Sequence, residues 1–183
     1  MVRYEAPDLP ARLPAGVAVL PFGNETVSMR GPELLRKMVS ERVSAFGYRS
    51  PGLEEVDRLL REIGITDGGQ LGAVAPDKVG RTLGVDGLLY GNVEDFVYQN
   101  VGFFRRQLVR LRLKLVDAAS GERLWEGVGA GEDGQLVVNS KDAGRSFIEG
   151  MVEQAAEKAA GTPLRRESQG AVDELFKKFP RRF

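Results

Sequence analysis

The sequence predicts an α+β domain, an α/β sandwich in which helices pack on a mostly antiparallel sheet. Three observations carry this: a short apolar run closed by proline near the start, a block of amphipathic helical segments after it, and a change to alternating strands from about residue 85. The order strand, helices, antiparallel strands, helix defines the class.

Residues 1–16, MVRYEAPDLPARLPAG, hold Pro7, Pro10 and Pro14 and show neither a helical nor a strand period. Each proline removes a backbone donor and biases its predecessor to extended geometry, so a tether is expected here. Val17-Ala18-Val19-Leu20-Pro21 reads as a buried strand that its proline ends. Gly31-Pro32 opens a helix, with Pro32 where a missing N–H costs nothing. Leu34, Leu35, Met38, Val39, Val43 and Phe46 share one face of it, and Gly47 suits its C-terminal cap. A second amphipathic helix is predicted at about 53–63, on Leu53, Val56, Leu59, Leu60 and Ile63. After the turn Asp67-Gly68-Gly69, Pro76 starts a third, which Gly84 ends.

Strands are predicted at 85–97, 108–116 and 122–128, the last two joined as a hairpin by Ala118-Ala119-Ser120-Gly121. Ser140 or Asp142 can cap a further helix carrying Ile148, Met151, Val152, Ala155, Ala156 and Ala159, which Gly161-Thr162-Pro163 stops. A last amphipathic segment, about 169–179, groups Val172, Leu175, Phe176 and Phe179. The expected organisation is a proline-rich tether at 1–16, one α/β domain at 17–162, and a C-terminal amphipathic helix or tail at 163–183.

A length of 183 residues fits one domain, and 42% hydrophobic with 28% charged residues excludes disorder. The 26 Lys and Arg cancel the 26 Asp and Glu, which argues against a nucleic-acid binder. The chain contains no His and no Cys. Those absences exclude a Ser-His-Asp triad, a thiol nucleophile, and histidine or cysteine metal sites. Acid–base chemistry would fall to Asp, Glu, Lys or Tyr. The chain has no apolar signal-peptide region, and no run approaches 18 apolar residues.

Gly129-Ala130-Gly131-Glu132-Asp133-Gly134 matches the G-x-G-x-x-G spacing of dinucleotide sites. Gln135-Leu136-Val137-Val138 does not start a helix, however, and Glu132 and Asp133 would repel phosphate, so a flexible loop leaving the last strand is expected instead. No cofactor is expected. Arg110, Arg112 and Lys114 alternate with Val109, Leu111, Leu113 and Leu115 and form a basic stripe on one strand face. The stripe is either a surface for phosphate, lipopolysaccharide or an acidic partner, or a solvated face paired across strands to residues such as Glu94 or Glu122. Glu94 and Asp95, as strand neighbours, are expected on opposite faces. Phe103 and Phe104, near a turn at Asn100 and Gly102, either present two rings for docking or fold over the core. Phe176 and Phe179, beside Lys177, Lys178, Arg181 and Arg182, pose the same choice between a membrane-facing end and a cover on the domain. The candidate interaction surface is therefore Phe103, Phe104, Arg110, Arg112, Lys114, Phe176 and Phe179.

Three segments carry a resemblance. Val17-Ala18-Val19-Leu20-Pro21-Phe22-Gly23-Asn24 resembles the opening strand of bacterial envelope proteins related to the curli-secretion channel lipoprotein. Gly84-Val85-Asp86-Gly87-Leu88-Leu89-Tyr90-Gly91 resembles their helix-to-strand junction, and Leu115–Trp125 their signature hairpin with its Leu-Trp pair. Within that group, Leu60–Pro76 resembles a family of outer-membrane lipoproteins of unknown function. The resemblance implies the sandwich fold of the curli-channel periplasmic domain and a periplasmic-facing protein held to the outer membrane by a lipid on an N-terminal Cys, which this sequence lacks. It supplies no catalytic residues. The functional expectation is a non-enzymatic envelope protein acting by assembly or by binding other envelope proteins, with possible outer-membrane contact and no nucleic acid. The alternatives are an activator of a peptidoglycan synthase, as in the penicillin-binding-protein activator lipoproteins, and a small-ligand binder or enzyme using carboxylate, Lys or Tyr chemistry.

Overall fold

Proline and glycine set most of the element boundaries that the sequence predicts. In the computed structural model, which describes residues 1–101, 104–136, 152 and 164–182, α1 (Gly31–Ala45) starts with Pro32 in its first turn, and Gly47 follows its end at φ +90°. Next come α2 (Leu53–Glu62) and α3 (Pro76–Leu83), the latter ended by Gly84 in the left-handed region with its N–H on the Gly80 carbonyl. Between them a 3-10 segment, Gly68–Ala73, is fixed by a capping box: Asp67 accepts from the Gly69 N–H at 2.8 Å, and Gln70 accepts from the Asp67 N–H at 3.3 Å. The helix expected over the 140–160 stretch lies outside the described residues, apart from Val152.

The strands are β1 (Val2–Glu5), β2 (Val17–Val19), β3 (Gly23–Asn24), β4 (Gly87–Val101), β5 (Phe104–Asp117) and β6 (Arg123–Leu136). They lie in the order β1-β6-β5-β4-β2, with β3 also beside β4. Only β2 and β3 run parallel to β4, so the six-stranded sheet is mostly antiparallel, as expected. Both faces of β2 are buried. Val17 and Val19 join a core with α1, while Ala18 and Leu20 join a second one with Val56 and Leu60 of α2 and Val79 and Leu83 of α3. The sheet is therefore covered by α1 on one side and, at its β2 end, by α2 and α3 on the other. The remainder of that second side carries a charged row on β4, β5 and β6, interspersed with the buried Leu108 and Val128.

The expectation for the first sixteen residues is corrected. Residues 1–16 are not a tether: Tyr4 and Glu5 pair with Glu126 and Trp125, and Ala6 and Leu9 are buried in the main core. The prolines do not prevent this because β1 ends before the first of them, and Pro10 occupies the start of a 3-10 turn, Leu9–Ala11. At the other end, α4 (Arg165–Phe176) packs on β6 and contributes Ala171, Val172, Leu175 and Phe176 to the same core.

The glycine-rich stretch is likewise not a loop. Gly129, Gly131 and Gly134 lie within β6, opposite Leu111, Val109 and Arg106 of β5. A Cβ on Gly129 would sit 2.1 Å from the Ala171 carbonyl oxygen, and one on Gly131 would sit 1.9 Å from that of Glu167. Gly129 and Gly131 thus form a flat track on which the α4 backbone lies directly, a packing reason for two glycines of a motif that otherwise suggests phosphate binding.

Candidate functional site

The polar half of the second sheet face is built by β4, β5 and β6. Strand alternation presents Tyr90 and Asn92, Arg110, Arg112 and Lys114, and Glu126 on this side, while Val109, Leu111, Leu113 and Leu115 are buried on the other. The sequence-predicted stripe is thus a real row. A bulge alters its partners. Val93 pairs with Leu111 and Asp95 with Arg110, so Glu94 is an extra residue in β4. This turns both carboxylates to the basic side, contrary to the expectation that strand neighbours diverge: Glu94 accepts from Arg112 Nε at 2.6 Å, and Asp95 lies 3.5 Å from Arg110 Nε.

Glu126, opposite Lys114 in register, is claimed by two guanidiniums. Arg123 Nη1 donates to it at 2.6 Å, and Arg112 Nη1 approaches at 3.5 Å. The side chains of Glu94 and Glu126 are only 13% and 9% exposed, whereas those of Arg112 and Arg123 are 42% and 46% exposed. The carboxylates therefore form the floor, and the guanidiniums keep unused N–H donors toward solvent. Lys114 is exposed and, among the described residues, has no carboxylate within ion-pair distance. Its ammonium stands 5.1 Å from the centroid of the Tyr90 ring. Burial pushes the Tyr90 phenol above its ordinary pKa, which keeps it a neutral hydrogen-bonding group at physiological pH.

A wall closes one side. Pro21 and Gly23 from the β2–β3 connection, with Gly68 and Leu71 from the 3-10 segment, border a groove of about 420 Å³ over Tyr90, Asn92, Arg112, Lys114, Arg123 and Glu126. Gly68 seats against the backbone of Phe22 and Gly23, where a Cβ would be 2.4 Å from the Phe22 carbonyl carbon. Asn92 donates to Glu25 at 2.5 Å at the rim, and Arg123 stacks 4.2 Å over Tyr4, tying the floor to β1.

Of the candidate residues, the structure brings Arg112 and Lys114 into this groove and places Arg110 beside it. Phe176 and Phe179 do not belong to any surface. Both are 4% exposed and sit in an aromatic cluster with Phe46, Tyr48 and Trp125, the rings of Trp125 and Phe179 edge to face at 5.1 Å. The apolar stripe of a short terminal helix gains more from that cluster than from solvent. Phe103 and the side chain of Phe104 lie outside the described residues. Sequence reasoning missed Tyr90, Asn92, Arg123 and Glu126. The alternation of β4 and β6 could have flagged Tyr90, Asn92 and Glu126, but the wall brought over them comes from distant segments.

The fold and this charged groove define a class: among the described residues, a sheet helix-covered on one side and half-covered on the other, with a charged groove on its second face. The chain belongs to the family described as "Putative lipoprotein GNA1162-like", which matches residues 4–171. A "Putative lipoprotein NMB1124/NMB1162" of Neisseria meningitidis serogroup B (strain ATCC BAA-335 / MC58) is 26% identical over 143 residues, 78% of this chain. The match spans 66% of that relative, just under two thirds of its length. The crystal structure of lipoprotein GNA1162 from Neisseria meningitidis aligns with a TM-score of 0.63 at 26% identity, covering 79% of this chain and 99% of that one. The fold is shared with a PelC dodecamer from Paraburkholderia phytofirmans, at TM-score 0.51, 13% identity and coverage of 88% and 86%. It is also shared with the hypothetical protein CT253 from Chlamydia trachomatis, at TM-score 0.52, 12% identity and coverage of 90% and 94%.

Proposed function

We propose that this protein is a non-enzymatic envelope protein that works by binding a partner or a second copy of itself at the periplasmic face of the outer membrane, using the open sheet face. Membership of a lipoprotein family supports the setting, and the PelC dodecamer is an instance of this fold in a twelve-subunit assembly. The observation that carries the reading is the groove itself. Its two floor carboxylates are taken up by guanidiniums, while Lys114 is in no ion pair among the described residues and Arg112 and Arg123 stay partly exposed. Carboxylates engaged in this way support recognition over carboxylate catalysis. Phe103 and Phe104 are proposed to extend the contact.

The test is the solution mass by light scattering across a concentration series, paired with capture from envelope extract. A concentration-stable oligomer, or one specifically captured envelope protein, is the expected result. Lys114→Glu and the pair Phe103→Ser with Phe104→Ser should each weaken it by about tenfold, on the scale of contact truncations costing more than about 1 kcal/mol, with no fall in Tm. A monomer that captures nothing, or variants that bind as well as the parent, would sink the proposal.

A further inference from the structure

A second surface lies at the junction of the chain ends, away from the sheet groove. After α4 the sequence runs Lys177-Lys178-Phe179-Pro180-Arg181-Arg182, four cations in six residues of a chain whose net charge is zero. Phe179 turns into the core, so the polar side chains are directed outward, and Lys177, Lys178 and Arg181 are exposed. The edge is held in place. The Arg182 N–H donates to the Phe46 carbonyl at 3.0 Å and its Nη1 to that of Leu13 at 2.8 Å, while Arg181 stacks 4.4 Å over the Phe46 ring. Nearby acids are engaged elsewhere: Asp8 with Arg12, Asp173 with Arg42, and Glu174 with the Ala130 N–H. Among the described residues, none of the four cations is in an ion pair.

Three of these cations, Lys178, Arg181 and Arg182, border a hollow of about 800 Å³ that Leu9, Pro10, Leu13 and Pro180 also line, and whose one carboxylate among the described residues is Glu5. An apolar floor with a cationic rim is complementary to an amphiphile with an anionic head, more than to an acidic polypeptide, which would leave the apolar floor unmatched. We infer that this edge docks on the anionic phosphate headgroups of a phospholipid surface. No helix among the described residues is long and apolar enough to cross a membrane, so the contact is peripheral. The contact does not depend on the sheet groove, and its failure would leave that reading untouched.

The experiment is co-sedimentation of residues 1–183 with vesicles of phosphatidylglycerol and phosphatidylcholine against vesicles of phosphatidylcholine alone, at low and high salt, with inorganic pyrophosphate and polyglutamate as soluble probes. Binding confined to the anionic vesicles and lost in about 0.5 M salt, where the Debye length is only a few ångströms, is expected. Each surface cation contributes roughly fivefold, so Lys177→Gln with Lys178→Gln should weaken binding about 25-fold at unchanged Tm, because both side chains are exposed and neither is in an ion pair among the described residues. Equal binding to both vesicle types, or a double variant that binds like the parent, would overturn the inference. So would pyrophosphate or polyglutamate binding in the absence of vesicle binding, which would assign the edge to a soluble anion or to an acidic chain.

Discussion

Glu94 and Tyr48 show how far single residues can depart from the expectations of their local sequence. Glu94 owes its position to one extra residue in β4, and without that bulge Arg112 would lose a partner that its alternation alone could not provide. Tyr48 follows the end of α1 and donates its hydroxyl to the Pro180 carbonyl at 3.0 Å, linking the chain ends to the core. Burial raises its pKa from the ordinary phenol value to about 12, with the Arg182 charge pulling the other way. The unfolded chain releases this proton near pH 10 and the folded one near 12, so over that window the folded state holds more protons. Stability therefore falls as pH rises from about 10 to 12, by up to about 2 kcal/mol from this group. Tyr48→Phe should lower Tm slightly at pH 7, by the loss of one hydrogen bond worth about 1 kcal/mol. It should also flatten the alkaline decline; melting curves from pH 7 to 11.5 that stay parallel for the two proteins would refute this.

At the scale of elements, the pairing of α4 with β6 is the most exacting contact. Gly127, Gly129 and Gly131 recur at every second residue and so share one face; at Gly129 and Gly131 the helix backbone approaches too closely for any Cβ, while at Gly127 the Trp125 ring fills that space. Gly131→Ala places a methyl group against the Glu167 carbonyl, which cannot yield as a flexible side chain would. The expected loss is about 1–3 kcal/mol, a fall in Tm of roughly 3–10 °C. Gly72→Ala, where a Cβ meets nothing within 4 Å, is the matched control and should leave Tm within about 1 °C. Similar shifts for both variants would show that the glycine track is not a close contact.

For the molecule as a whole, the ends complete the core. Removing residues 164–183 deletes Val172, Leu175, Phe176 and Phe179 and uncovers Trp125 and Phe46. Four such side chains contribute on the order of 6–12 kcal/mol by burial, comparable with the roughly 5–15 kcal/mol stability of a typical domain. Residues 1–163 should therefore lose cooperative thermal unfolding and bind a hydrophobic dye. A sigmoidal melt for the truncated chain would show that the tail is separable after all.

Much of this architecture was legible from the residues, because the signals involved are local. Pro32, Gly47, Pro76 and Gly84 act through their own φ angles and missing donors, and the alternation at Val109–Leu115 follows from the two-residue repeat of a strand. The family resemblance rested on short contiguous segments and was correct. The strand at Val2–Glu5, the glycine track and the groove wall over Arg112 and Lys114 were decided only by tertiary structure. Each depends on what another segment places opposite, and a residue's neighbours in sequence carry no record of that. A glycine that serves a turn and a glycine that admits a helix backbone look alike until the helix is there.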